Sequence, residues 1–256
     1  MSSELLTLLV VVPSCLVVAA LFAMMWLEAR VARERYVAIA AASALAIWLV
    51  LAALLAWRGQ FVQPDAKTTP PIGINLVVVF AGLAVLVAGS PTLRRLLANQ
   101  RNLIRLNVWR LEGFVFLLLA ANGQMPWLWA LPSGVGDVLI GSTAFWVASR
   151  LELPGGTRRA VNFNVLGLLD LIVAVGLGIT TNMGPLQLFE TTPTSELVTH
   201  FPLALVPTFL VPLAFAVHIV SLWQLFRGSW RSEEAIASER RICATRRVGG
   251  SRWPRL

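Results

Sequence analysis

Apolar residues in this chain neither alternate nor keep to one helical face; they run on without a break. Stretches at about 5–27, 36–57, 73–90, 104–122, 132–151, 162–180 and 201–225 are apolar almost throughout, and most of the charge lies in the short segments between them. Each is about the length a helix needs, at 1.5 Å per residue, to cross roughly 30 Å of hydrocarbon. A helix that is apolar on every side belongs in lipid or inside a protein core. The pattern predicts an all-α fold: a polytopic membrane bundle of seven transmembrane helices over residues 1–226, followed by a basic tail, 227–256.

Charge supplies the orientation. Segments 28–35, 91–110, 150–160 and 227–256 hold 19 of the 21 Lys and Arg residues, and the alternate segments hold only Arg58 and Lys67. Positive residues collect on the cytoplasmic side of a membrane protein. The N-terminus is therefore expected outside and the C-terminus in the cytoplasm, and an odd number of spans keeps the alternation intact. Segment 91–110, with arginines interleaved among leucines, suits an interfacial helix. The tail suits contact with anionic lipid.

Composition agrees: 57% of the 256 residues are hydrophobic and 13% charged, and the mean hydropathy is +0.74. The net charge of +8 is spread over several loops and comes with no nucleic-acid motif, so nucleic acid is not an expected partner. Cys15 and Cys243 are expected at different depths and on different sides, which rules out pairing, and no Cys/His cluster marks a metal. The first apolar run is too long for a signal peptide and reads as a retained helix.

The stretch ANGQMPWLWALPSGVGDVLIG, 121–141, places an aspartate behind Pro132, Gly134 and Gly136. Trp127 and Trp129 suit the outer interface. Pro132 suits the first turn of the fifth span, where a missing N–H costs nothing. Asp137 then lies just over one turn below the outer surface, with Asn122 and Gln124 as the nearest polar candidates. Its two readings are a helix-terminus acid favoured by the dipole and a group lining an external cavity.

Small residues recur at Gly134, Gly141, Ala144 and Ala148 in the fifth span and at Gly167, Ala174 and Gly178 in the sixth. Small stripes let membrane helices approach closely, so these two faces are expected to meet. Pro207 and Pro212 should bend the seventh span. Asn162 and Asn164 look like helix-start caps.

Ionisable groups inside a span are costly and point to function. There are five: Arg110 and Glu112 in the fourth span, Asp137 in the fifth, Asp170 in the sixth and His218 in the seventh. Counting rise from the expected helix starts puts Arg110, Glu112, Asp170 and His218 in one inner layer, with Asp137 apart. A buried Arg110–Asp170 pair would hold packing, Asp170 with His218 would bind a proton or ligand, and Arg110 and Glu112 would otherwise snorkel to the interface. No lysine in the last span offers a retinal Schiff base, His200 and His218 are too far apart in depth to hold a haem, and hydrolase motifs are missing. No cofactor is indicated, and enzyme activity has no support.

The stretches RLEGFVFLLLAANGQMPWLWALPSGVGD, NVLGLLDLIVAVGLG and FPLALVPTFLVPLAFAVHIVSLWQL resemble an uncharacterised family of bacterial multi-pass inner-membrane proteins. The resemblance implies a fold and a bacterial inner membrane but carries no activity. Two functions are therefore expected: a small-solute or proton-coupled transport or binding protein with its site among spans four to seven, or a non-catalytic accessory or assembly subunit of a larger membrane complex.

Overall fold

A computed structural model describes residues 2–63 and 71–227. Lys67, Cys243 and the basic tail beyond residue 227 lie outside the described residues. The described chain is helical: α1 (Ser3–Glu28), α2 (Ala32–Trp57), α3 (Pro71–Gly89), α4 (Pro91–Leu96), α5 (Gln100–Leu106), a 3-10 segment (Asn107–Gly113), α6 (Phe114–Ala121), α7 (Trp127–Ser149), α8 (Gly156–Thr180) and α9 (Val206–Arg227). Six of these, α1, α2, α3, α7, α8 and α9, have the length and composition to cross a membrane. The surface supports that reading, since Leu16, Ile47, Leu54, Val77, Val85, Leu139 and Ile172 all point outward. So many exposed large aliphatic side chains indicate an apolar surrounding rather than water.

The apolar stretch 104–122 is not one continuous α-helix. It is built from the end of α5, the 3-10 segment and α6. The 91–110 segment likewise forms two short helices, broken at 97–99. Each starts on its own cap: the Ser90 hydroxyl accepts from the Leu93 N–H, and the Asn99 carbonyl accepts from the Asn102 N–H. Local charge pairing ties this end of the bundle together. Glu34 accepts the backbone N–H groups of Arg30 and Val31 and pairs with Arg95. Asn99 donates to Glu28 at 2.8 Å.

The core gathers around α9 and the turn that leads into it, where Leu203, Ala204, Leu205, Phe209, Leu210 and Ala214 are buried. The first turn of α9, Val206–Leu210, is π-helical. Pro207 stands in that first turn, where its missing N–H needs no partner. Asn75 of α3 donates to the Thr208 carbonyl at 3.2 Å and anchors this turn.

Two helices begin earlier than their sequence pattern suggests. α7 starts at Trp127 behind Pro126, so Pro132 lies inside it; α8 starts at Gly156 rather than near Asn162. Each therefore gains between one and two turns at that end. At 1.5 Å per residue, Asp137 lies about 15 Å below the start of α7 and Asp170 about 21 Å from the start of α8. The two helices run in opposite directions and are roughly 35 Å and 38 Å long. The two aspartates therefore reach the same level, mid-depth.

Candidate functional site

Arg110 is fully buried at the centre of this level. Its Nε donates to Asp137 Oδ1 at 2.6 Å, and its Nη2 donates to Asp170 Oδ2. Its Nη1 donates to the Gly167 carbonyl at 3.3 Å and to His218 Nε2 at 3.2 Å. A guanidinium can only donate, so the network assigns Nε2 of His218 as acceptor and puts the ring proton on Nδ1. That nitrogen faces Asn164 Oδ1 at 2.9 Å and donates to it.

Glycine makes this proximity possible. A Cβ on Gly136 would run into the Asp170 carboxylate, one on Gly113 into Asp137, and one on Gly167 into the His218 ring. Asp137 is therefore not isolated near a surface with Asn122 and Gln124. It is one of the two carboxylates on Arg110, and Asn122 donates to its own helix, to the Leu118 carbonyl. Nor does Arg110 snorkel. The small stripe of α7 also lies elsewhere than expected. A Cβ on Gly141 would sit 2.7 Å from the Leu111 backbone nitrogen, and one on Gly134 would sit 2.8 Å from Leu117, so this face packs on the 3-10 segment and α6. Against α8, α7 sets Gly136 on Asp170 and Trp129 on Gly178, the Trp129 indole N–H donating to the Ala174 carbonyl at 2.8 Å, while Ala144 and Ala148 of the stripe share a buried cluster with Ala160 and Phe163.

Glu112 is the third acid of this region. Both of its carboxylate oxygens are buried without a hydrogen-bond partner among the described residues, and Asp137 is close enough to act on it electrostatically. Two carboxylates thus share one guanidinium, and a third acid lies close enough to one of them to feel its charge. With all three ionised the group would carry surplus negative charge away from water, which is strongly unfavourable unless a proton or another cation joins it. No group of acids, histidines and cysteines able to hold a metal ion occurs among the described residues; Arg110 occupies the space between the acids.

The polar contacts continue in one direction. Asn164 Nδ2 donates to Ser221 at 2.9 Å, and Ser221 donates to Gln100 Oε1 at 2.7 Å. Gln100 Nε2 donates to Gln224 Oε1 at 2.9 Å, and Gln224 Nε2 donates to the carbonyls of Leu97 at 3.1 Å and Arg94 at 3.3 Å. An unbroken series of donors thus leads from Arg110 to the α4–α5 connection. Asn164 is consequently an interior link and not a cap. The sequence reading missed Asn164, Ser221, Gln100 and Gln224 as site residues. Their signal was spacing: Asn164, Gly167 and Asp170 follow at three, as do His218, Ser221 and Gln224.

On the opposite side of Arg110 lies a cleft of about 90 Å³ between α3, α6, α7, α8 and α9, with its mouth by Gln63, Asn182 and Gly184. Its walls are mostly apolar; besides Gln63, Asn182 and Thr199 they carry Ser133 and Asp137, which lie one turn apart on α7, below Trp129. Ser133 is buried and its hydroxyl has no partner among the described residues. Asp137 is therefore shared: it faces both the cleft and the buried guanidinium.

No curated protein and no solved structure matches the chain. The family model of a domain of unknown function, DUF8737, matches residues 69–226, which take in Arg110, Asp137, Asp170, His218 and the helices that carry them. That is more than half of the sequence, and the chain belongs to the DUF8737 family.

Proposed function

We propose that this is a proton-coupled membrane transport or binding protein for a small solute, with its site at Asp137 and Arg110 and that site open towards the 58–63 and 181–199 side. One observation carries the reading: Asp137 joins the cleft to a buried guanidinium that two carboxylates share. A bound cation and a proton are then alternative ways of balancing the same acids, which is the chemistry that coupling requires. Asp170, Glu112 and His218 complete the group.

The donor series towards Gln224 acts as the closure on the far side. Amide groups do not pass protons on as hydroxyl and imidazole groups do, so Asn164, Gln100 and Gln224 hold His218 in one tautomer and seal the bundle. Passage to the other side means parting Ser221 from Gln100. The π-helical turn at Val206–Leu210 gives α9 a place to bend, as π-bulges at functional sites often do.

Seven spans are supported by length. α5, the 3-10 segment and α6 together rise about 36 Å, taking 1.5 Å per α-helical residue and 2.0 Å per 3-10 residue, enough to cross a bilayer. The arginine bias then puts the cleft outside and the α4–α5 connection in the cytoplasm. A bacterial inner membrane follows from the resemblance of α6–α9, and the tail from Arg227 would meet anionic lipid there.

The test uses single cysteines at Ser133 and Ser221, with Cys15 and Cys243 replaced by serine. A small cationic methanethiosulfonate is applied to vesicles of either orientation. Ser133→Cys should react from the cleft side, and Ser221→Cys should react from the arginine-rich side with a rate that changes between about pH 5 and 8. A folded Ser221→Cys variant that stays inert throughout that range refutes an opening closure. The second reading, an accessory subunit of a larger complex, is favoured by the internal partners on every nitrogen of Arg110. Stable co-purification of other chains in mild detergent, together with an inert Ser221→Cys, would select it.

A further inference from the structure

The cleft has a composition of its own, and it names a ligand class. Trp129 and Phe116 both line it, with ring centroids 4.8 Å apart in an edge-on arrangement. The Trp129 ring is held in place by its bond to the Ala174 carbonyl. Aromatic rings beside a carboxylate attract organic cations, through the ring quadrupole and the charge together. Ser133 adds a buried hydroxyl with no partner among the described residues. Such an orphan is unfavourable unless something bonds to it. Leu171, Val175 and Val211 make an aliphatic patch of the remaining wall, which also carries Thr199, Gln63 and Asn182.

We propose that the cleft binds a small primary alkylammonium ion, its nitrogen donating to Asp137 and Ser133 beside the rings of Trp129 and Phe116, and its alkyl chain against Leu171, Val175 and Val211. The inference rests on the transport reading in taking Asp137 as a functional acid, and it adds the identity of the solute. Charge decides the class. An anion would meet the Asp137 carboxylate, and a neutral alcohol would add no positive charge beside the two carboxylates that share Arg110. Volume decides the size. A cavity of about 150 Å³ holds the six carbons of benzene, so about 90 Å³ suits about four non-hydrogen atoms, the size of n-propylamine. A quaternary ammonium lacks the N–H that Ser133 and Asp137 would accept.

The probe is n-propylammonium, titrated calorimetrically into the full chain in detergent, with propan-1-ol as the neutral counterpart. The expected result is saturable binding of the amine, none of the alcohol, and competition by n-butylammonium. Val175→Phe, which fills the cleft without touching Arg110, should abolish binding. Ser133→Ala should weaken it roughly tenfold, the worth of one hydrogen bond to a charged donor. Retained secondary structure and a single size-exclusion peak show that each variant is folded; if Val175→Phe fails that check, Ser133→Ala decides alone. Equal binding of the alcohol, unchanged binding by a folded Val175→Phe, or no saturable binding by the unaltered protein each overturns the assignment. An unaltered protein that ignores the amine while Ser221→Cys still responds to pH loses only the ligand class, and an inert Ser221→Cys removes the transport reading itself.

Discussion

Replacing Arg110 by methionine keeps a long unbranched side chain and removes the charge, so it isolates what the guanidinium does. The residue is fully buried and makes four hydrogen bonds, two of them to carboxylates. Charge-assisted bonds of this kind are worth about 1.5–3 kcal/mol each, which sums to roughly 3–6 kcal/mol for the two. Stranding one partner of a buried pair costs about 3–5 kcal/mol. The carboxylates can relieve part of that by taking up protons, so about 4 kcal/mol is the expected loss. For a chain of this size, 1 kcal/mol moves the midpoint by about 2–4 °C, which translates into a fall of roughly 8–16 °C. The assay is thermal unfolding in detergent followed by tryptophan fluorescence, with size exclusion as a check on folding. Adding Asp137→Asn and Asp170→Asn to Arg110→Met makes all three groups neutral, and the triple variant should recover at least half of the loss. An Arg110→Met protein melting within about 2 °C of the parent would refute the view that this charge holds the helices together.

Gly141→Ala should cost about 1–3 kcal/mol by overpacking, because the new methyl meets the Leu111 backbone and a backbone cannot rotate aside. Gly176→Ala, with open space around it, should be neutral or stabilise by up to about 1 kcal/mol through helix propensity; melting both variants side by side checks the contrast, and equal effects would remove the close α7 contact. For orientation, a cysteine at Gln60 should be labelled by an impermeant reagent from outside intact cells and a cysteine at Pro154 should not. The reverse pattern would turn the bundle over.

The linear pattern determined that this chain is helical and that several helices suit a membrane, because uninterrupted apolar runs of that length have few other uses. It also singled out Arg110, Glu112, Asp137, Asp170 and His218, since an ionisable side chain in such a run is conspicuous whatever the fold. Which of them meet was a different matter. Depth was counted from assumed helix starts, and the extra turns at Trp127 and Gly156 were enough to move Asp137 from apparent isolation to the side of Arg110. Rotation about each axis was not readable, because a helix that is apolar on all sides has no face that declares itself inward. That is why Gly141 packs on Leu111 and not on α8. The donor series through Asn164, Ser221, Gln100 and Gln224 draws on α8, α9 and α5, and nothing in the linear order of Asn107–Gly113 shows that the stretch carrying Arg110 turns as a 3-10 helix. Hydrogen bonds between residues more than fifty positions apart exist only once tertiary packing has set the depth and rotation of every helix.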